Sequence, residues 1–517
     1  MKKNGFIRGA MILIIFNLIG KVIGAVYRIP LANIIGGVGM GQYQLVFPLY
    51  CLILTVSTSG IPVAISKLVA EYNSQKRFKD SKRLLKISIL FLTIISAVGM
   101  GFIIFFAKFI AKLQGNLDNY LCYYGIAPAI LFVGVLSAFR GYFQGNLLMF
   151  PTAFSGFVEQ IIKMALGLFF AKALIPLGTE YAVLGALAGI SLSELAAFLF
   201  LALFYLFYSR KHKYNQDLEL YSYRNLTKNL MSISVPITLG GLISPITALI
   251  DSLLVVNLLM VIGYSNQAAT MMLGVQSGVV EPLLNLPVVI AISLGAVLLP
   301  NLSGLHARNE KEKMKKLIER AYQISLSISV SCAICFVIFG NQILSFLYGR
   351  SFTPDELEIG VKLLLLGSIN IIFLSLVQIT ASTLQSMGQQ KYPVKSLLVG
   401  CFVKIALDVA LLLLRPVNIM GAVISGAVCY FLVLLLNYKK VKILTGAKLS
   451  NSLFYVSIQA CFVSLFAFFS NWLFKMVFSD MIALTLGGIL VGLIFVATFY
   501  VFFMNKQKDF EFENETN

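Results

Sequence analysis

The sequence predicts an all-α integral membrane protein, and three observations carry that expectation. Hydrophobic residues fill 58% of the 517 positions and charged residues 12%, against about 25% charged in a soluble domain. The mean hydropathy is +0.87, so the chain cannot cover itself with polar surface and must dissolve in lipid. Apolar runs of span length recur from end to end, and every second loop between them is basic.

Fourteen apolar segments are expected to span the membrane: residues 8–30, 42–70, 86–107, 119–146, 152–175, 181–208, 228–262, 267–303, 315–340, 357–387, 392–414, 418–438, 451–474 and 481–504. Several exceed the ~20 residues a perpendicular helix needs, so tilt, kinks or extensions are expected. Lys and Arg set the orientation. The loop after the second segment holds Lys76, Arg77, Lys79, Lys82, Arg83 and Lys86, and the loop after the eighth holds Arg308, Lys311, Lys313, Lys315 and Lys316. The loops after the sixth and twelfth are basic too, with Arg210 and Lys211 in one and Lys439, Lys440, Lys442 and Lys448 in the other. The opposite side is nearly bare. Basic loops face the cytosol, which places both termini there and calls for an even number of spans.

The same distribution removes the net charge of +19 as a nucleic-acid signal, because the cations sit where topology needs them. The seven Cys are scattered through apolar runs. Cys332 and Cys335 lie inside a span with no second Cys/His pair, so no metal site is expected. The Cys read as small hydrophobes. Lys2, Lys3 and Arg8 before an apolar run imitate a signal peptide, but no small-x-small cleavage site follows. The first segment therefore reads as an uncleaved helix.

An internal repeat organises the segments. Ser66-Lys67-Leu68, closing the second, is matched by Pro300-Asn301-Leu302, closing the eighth, and each is followed by a basic loop. Ile162-Lys163-Met164-Ala165-Leu166 in the fifth is matched by Val403-Lys404-Ile405-Ala406-Leu407 in the eleventh, with Pro151 and Pro393 near the helix starts. A six-helix unit used twice follows, its copies pointing the same way. The expected divisions are 1–225, 226–447, and 448–517 for the last two spans and a short cytosolic tail. Parallel repeats of this kind are a transporter architecture.

An ionisable side chain inside a span is costly and is a functional candidate by default. Lys21 and Arg28 are seven residues apart and share a helix face. Two long cations there suit an anion such as a pyrophosphate, which Arg grips with two parallel bonds. Snorkelling to a headgroup is the alternative for both. Glu159 and Lys163 stand at i, i+4, in the order that favours an intrahelical ion pair. Lys404 and Asp408 have the same spacing. Glu194, Asp251 and Glu281 lie in the sixth, seventh and eighth segments. Each such group needs a partner in a low dielectric. They form either structural pairs that lock helices or, for Asp251, Lys404 and Asp408, a switch for a cation or a proton. Pro62, Pro128, Pro236, Pro245, Pro282 and Pro287 add mid-span hinges.

Two stretches resemble a known family. One is Gly60-Ile61-Pro62-Val63-Ala64-Ile65-Ser66-Lys67-Leu68-Val69-Ala70-Glu71. The other is Arg140-Gly141-Tyr142-Phe143-Gln144-Gly145, followed by Pro151 and Val158-Glu159-Gln160. Together they are similar to the stage V sporulation protein B-like branch of polysaccharide biosynthesis proteins, within the multidrug/oligosaccharidyl-lipid/polysaccharide exporter superfamily. The resemblance covers the whole chain. It implies two six-helix lobes in a V, a central cavity and alternating access. Lipid II flippases belong to the same superfamily, and their last two helices form a groove for the lipid tail. The resemblance gives that part to the last two spans here. Those flippases carry cavity Arg residues on helices one, two and eight. Lys21 and Arg28 match the first of these, whereas the eighth helix here has Glu281 and Pro282. Some relatives bind sodium through acids on helices seven and eleven, and Asp251 and Asp408 resemble those positions. Lys404 puts an ammonium one turn before Asp408, where the metal would sit, so a proton-linked site or a fixed ion-pair cluster is the expectation.

The resemblance thus implies a flippase for an undecaprenyl-pyrophosphate-linked oligosaccharide in the cytoplasmic membrane. Peptidoglycan precursor is the first candidate cargo, with a spore wall as one destination. A multidrug antiporter of the same superfamily is the alternative, and a lipid-dependent glycosyltransferase is a third. Two extra spans and Lys21/Arg28 count against the antiporter. The absence of a sizeable acidic outer loop and the repeat count against the enzyme. No cofactor is expected beyond a coupling ion, sodium or proton. The expected partners are the lipid-linked sugar, membrane lipid and cell-wall synthesis proteins, with a monomeric chain and no nucleic acid.

Overall fold

The structure is a computed structural model and describes residues 3–211, 220–477 and 480–500. Among them the backbone is helical almost throughout, because in lipid a helix satisfies its own peptide groups. The helices are α1 (Lys3–Thr58), α2 (Gly60–Ser74), α3 (Phe78–Leu113), α4 (Tyr120–Gly145), α5 (Met149–Leu174), α6 (Thr179–Lys211), α7 (Tyr223–Gly241) and α8 (Ile243–Val261). They continue with α9 (Asn266–Leu273), α10 (Glu281–Ala307), α11 (Lys311–Tyr348), α12 (Pro354–Ser386), α13 (Lys391–Leu412), α14 (Met420–Thr445), α15 (Ser450–Val477) and α16 (Asp480–Phe499). A π-helical turn, Gly274–Val280, joins α9 to α10.

Eleven described helical runs are long and apolar enough to cross a bilayer. The sequence expectation of fourteen departs from that number at three places. The first run, Val22–Ser74, folds back on itself inside α1 at Gly36 (φ 67°, ψ −176°). The Arg28 guanidinium consequently lies 6.0 Å from the Phe47 ring centre, where a straight helix would separate the two by about 28 Å. Helix α13 carries Lys391, Lys395, Lys404 and Asp408 and is not among the eleven. The apolar stretch of α16 is short, Leu484–Phe499.

The turn at Gly36 is one place where glycine is required. A Cβ there would meet nothing within 4 Å, so the constraint is the backbone angle alone. Gly36→Ala should cost about 1–3 kcal/mol, visible as a lower melting temperature in detergent. An unchanged melt would show that the turn relaxes freely.

The helices group into two compact units, Met1–Gly274 and Val275–Asn517. In the first, α5 and α4 pack on α6, α3 on α4, and α1 on α5. Helix α7 lies along α2, while α8 and α9 lie along α1. Gly60 permits the first of these approaches, since a Cβ there would overlap the Ser234 carbonyl. The six-helix repeat read from the sequence is expected to restart near residue 225, whereas α7, α8 and α9 group with the first unit. A core of Ile65, Leu68, Leu85, Tyr142, Phe143, Leu226 and Leu230 fills one end. Beside it the fully buried Asp80 holds the chain that enters α7. It accepts from the Tyr221 backbone N–H at 3.1 Å and from Arg77 Nη1 at 3.1 Å, while the Arg77 guanidinium stacks 3.9 Å from the Tyr221 ring centre.

In the second unit α12 packs on α10, α11 and α14, and α13 packs on α14. Helices α15 and α16 lie against each other and against α11. Phe339, Val463, Ala467 and Val491 form their shared core, and Gln342 Nε2 donates to Asn471 Oδ1 at 2.8 Å.

Candidate functional site

Within the first unit the polar groups of α1, α4, α5 and α6 converge. Gly20 and Gly24 on α1 leave room for Gln160 of α5, since Cβ atoms there would stand 3.5 Å from its Cγ and 3.1 Å from its Oε1. One turn along α1, Tyr27 is buried with its hydroxyl against Gly167 of α5, 2.6 Å from where a Cβ would be. The Lys163 ammonium lies over the Tyr27 ring at 5.5 Å, within electrostatic reach of Glu159, Arg28 and Glu194. The structure therefore brings Arg28, Glu159 and Lys163 together. Lys21 falls on the same stretch of α1, but its side chain lies outside the described residues.

The ion pair expected between Glu159 and Lys163 is not formed. Glu159 Oε2 instead accepts from Arg140 Nη2 of α4 at 2.9 Å, and Glu159 Oε1 accepts from Gln160 Nε2 at 2.9 Å. Arg140 Nε also donates to Ser155 Oγ at 3.2 Å. A guanidinium from the facing helix can satisfy the carboxylate and a hydroxyl at once, and the lysine turns to an aromatic face. Glu194 on α6 is only 6% exposed, and its Oε2 has no hydrogen-bond partner. Three basic side chains (Arg28, Arg140, Lys163) and two acidic ones (Glu159, Glu194) gather here, and the excess of basic groups suits an anion.

The other candidates fall elsewhere. Asp251 is half-buried on α8 in the first unit. Glu281 opens α10 in the second unit, is exposed, and accepts from Gln276 Nε2 at 3.4 Å. Lys404 and Asp408 on α13 belong to the second unit and meet there: Lys404 Nζ lies 2.8 Å from Asp408 Oδ2, the side chains 15% and 1% exposed. Ser425 of α14 donates its hydroxyl to Asp408 Oδ1.

Arg140 and Ser425 were given no role from sequence. Their partners sit 19 and 17 residues away on other helices, and no spacing rule reaches that far. Arg140 did stand inside the motif that carries the family resemblance.

A bundle of long apolar helices with buried charge clusters defines a multi-pass integral membrane protein of the cell membrane. The chain belongs to the polysaccharide biosynthesis protein family, whose sequence profile matches residues 6–306. The MatE profile matches residues 277–410. Stage V sporulation protein B of Bacillus subtilis (strain 168) is 29% identical over 446 residues, 84% of this chain and 83% of that protein. Lipid II flippase MurJ of the same organism is 27% identical over 461 residues, 84% of this chain and 82% of that one. Among solved structures, lipid II flippase MurJ in an inward closed conformation superposes with a TM-score of 0.72 at 17% identity, over 95% of this chain and 99% of that one. That likeness shows a shared fold.

Proposed function

We propose that this protein is a flippase that moves an undecaprenyl-pyrophosphate-linked oligosaccharide across the cytoplasmic membrane by alternating access. The cationic excess of Arg28, Lys163 and Arg140 on converging helices carries the reading. Such a patch suits a pyrophosphate, and the name of one Bacillus subtilis relative, lipid II flippase MurJ, points the same way. Lys21 and Arg28 attract the pyrophosphate, and Glu159 holds Arg140 in place. The polyprenyl tail stays in lipid along α15 and α16. No covalent step is needed, and differential affinity for the two states supplies the coupling. The first cargo to test is peptidoglycan precursor, and spore cortex is one setting for it.

The MatE match to residues 277–410 favours a second reading, a multidrug cation antiporter. Complementation separates the two. Expressed in cells depleted of their own lipid II flippase, the wild-type chain should restore growth, and Lys21→Ala and Arg28→Ala variants present in the membrane should not. Growth restored equally by the variants would overturn the cationic site. No rescue, together with efflux of cationic dyes, would replace the flippase reading by the antiporter.

A further inference from the structure

Two pairs of turns repeat between the units. In the turn after α2, Lys76 N–H donates to the Asn73 carbonyl and Arg77 N–H to the Tyr72 carbonyl; after α10, Asn309 N–H donates to the His306 carbonyl and Glu310 N–H to the Leu305 carbonyl. Lys76 and Asn309 are both left-handed, at φ 61° and 59°. The turns after α4 and α12 match likewise, with Leu147 at φ 60° and Gly388 at φ 75°. This backbone equivalence sets Asn73 against His306, Ser81 against Met314, and Asn146 against Met387.

The first unit closes this corner with a chain of hydrogen bonds. Ser81 Oγ donates to Asn73 Oδ1 at 2.8 Å, and Asn73 Nδ2 donates to Asn146 Oδ1 at 3.0 Å. In the second unit two of the three equivalents are thioethers, which cannot continue such a chain. A cavity of about 180 Å³ stands there instead, with Met314 and Met387 as apolar walls and His306, Asn309, Lys311 and Gln389 as polar ones. Among the described residues no carboxylate lines it. The nearby Glu310 is held by Lys313 Nζ at 2.8 Å, and that bond keeps its carboxyl below the usual range. Leu444 completes the rim, and its neighbour Ile443 is 78% exposed, so the cavity runs into apolar surface at the end of a span.

We propose that this cavity binds the phosphoglycerol headgroup of an anionic membrane lipid. The Lys311 ammonium takes the phosphate as a point charge. Asn309 and Gln389 offer carboxamides to the glycerol hydroxyls. The methionines pack on the glyceryl carbons, and the acyl chains leave past Leu444 along α14. In the equivalent corner of the first unit the Ser81–Asn73–Asn146 hydrogen bonds tie the same three positions to one another.

Calorimetric titration of the full chain in neutral detergent with dihexanoyl-phosphatidylglycerol tests this, with dihexanoyl-phosphatidylcholine, sn-glycerol 3-phosphate and inorganic phosphate in parallel. Saturable binding of the phosphatidylglycerol is expected. Lys311→Glu should weaken it at least about fivefold, and Met387→Trp, which fills the cavity, should abolish it. Lys439→Glu on the same basic side should leave it unchanged. Equal weakening by Lys439→Glu would reduce the effect to general surface charge and overturn the proposal. So would binding unaffected by Met387→Trp in a protein that melts like wild type. Glycerol phosphate or phosphate binding as tightly as the lipid would assign the cavity to a soluble phosphate ester and overturn the lipid assignment.

Discussion

Asp408→Ala should destabilise the protein by about 3–5 kcal/mol, the cost of leaving one member of a buried ion pair without the other. The Asp408 side chain is 1% exposed and that of Lys404 15%. Two donors, the Lys404 ammonium and the Ser425 hydroxyl, converge on the carboxylate. Alanine removes the acceptor and strands an ammonium in a low dielectric. The double variant Lys404→Met/Asp408→Leu should recover most of the loss, since a buried pair replaced by apolar groups of similar size is often neutral. Thermal unfolding in detergent reads both. If the double variant is as unstable as the single one, the loss is not that of a stranded charge. Transport by a stable double variant would make the pair a structural clasp, and a stable but inactive one would place it in coupling. We further propose that the ammonium takes the place of a metal ion here, so sodium should not raise the melting temperature. A sodium-dependent rise that disappears in Asp408→Ala would refute that.

The second large effect is expected at Gly41. A Cβ on this residue would overlap the carbonyl of Thr270 at the start of the eighth predicted span, and a Cβ on Gly274 would overlap the Gly37 carbonyl and the Gly41 backbone nitrogen. Glycines on both helices let the two backbones touch. A backbone atom cannot swing aside as a side chain does, so Gly41→Ala must push α1 and α9 apart. Inserting volume into tight packing costs about 1–3 kcal/mol and sometimes more, and backbone overlap puts this position at or above the upper end. Gly101→Ala on α3 is the matched control. Nothing lies within 4 Å of a Cβ there, and alanine raises helix propensity by up to about 1 kcal/mol. Melting curves that fail to separate Gly41→Ala from Gly101→Ala would show that the α1–α9 contact opens at no cost.

Membrane insertion, helicity, the near-continuous run of spans and the basic loops were legible in the residues themselves. Each depends on a local rule: an apolar run must become a helix in lipid, and its flanking charge sets its side. The Lys404–Asp408 contact was legible for the same reason, because both partners lie one turn apart on one helix. Tertiary structure alone decided the rest. It gave Glu159 to Arg140 on another helix and turned Lys163 to Tyr27, because pairing in a low dielectric goes to whichever donor the packing brings near. It broke the seventh predicted span into α7 and α8 and put a π turn in the eighth. It also drew α7, α8 and α9 onto α1 and α2, although the sequence repeat restarts before them. Helix association depends on shape, on glycines that admit a neighbouring backbone, and no periodicity along the chain specifies which backbone that will be.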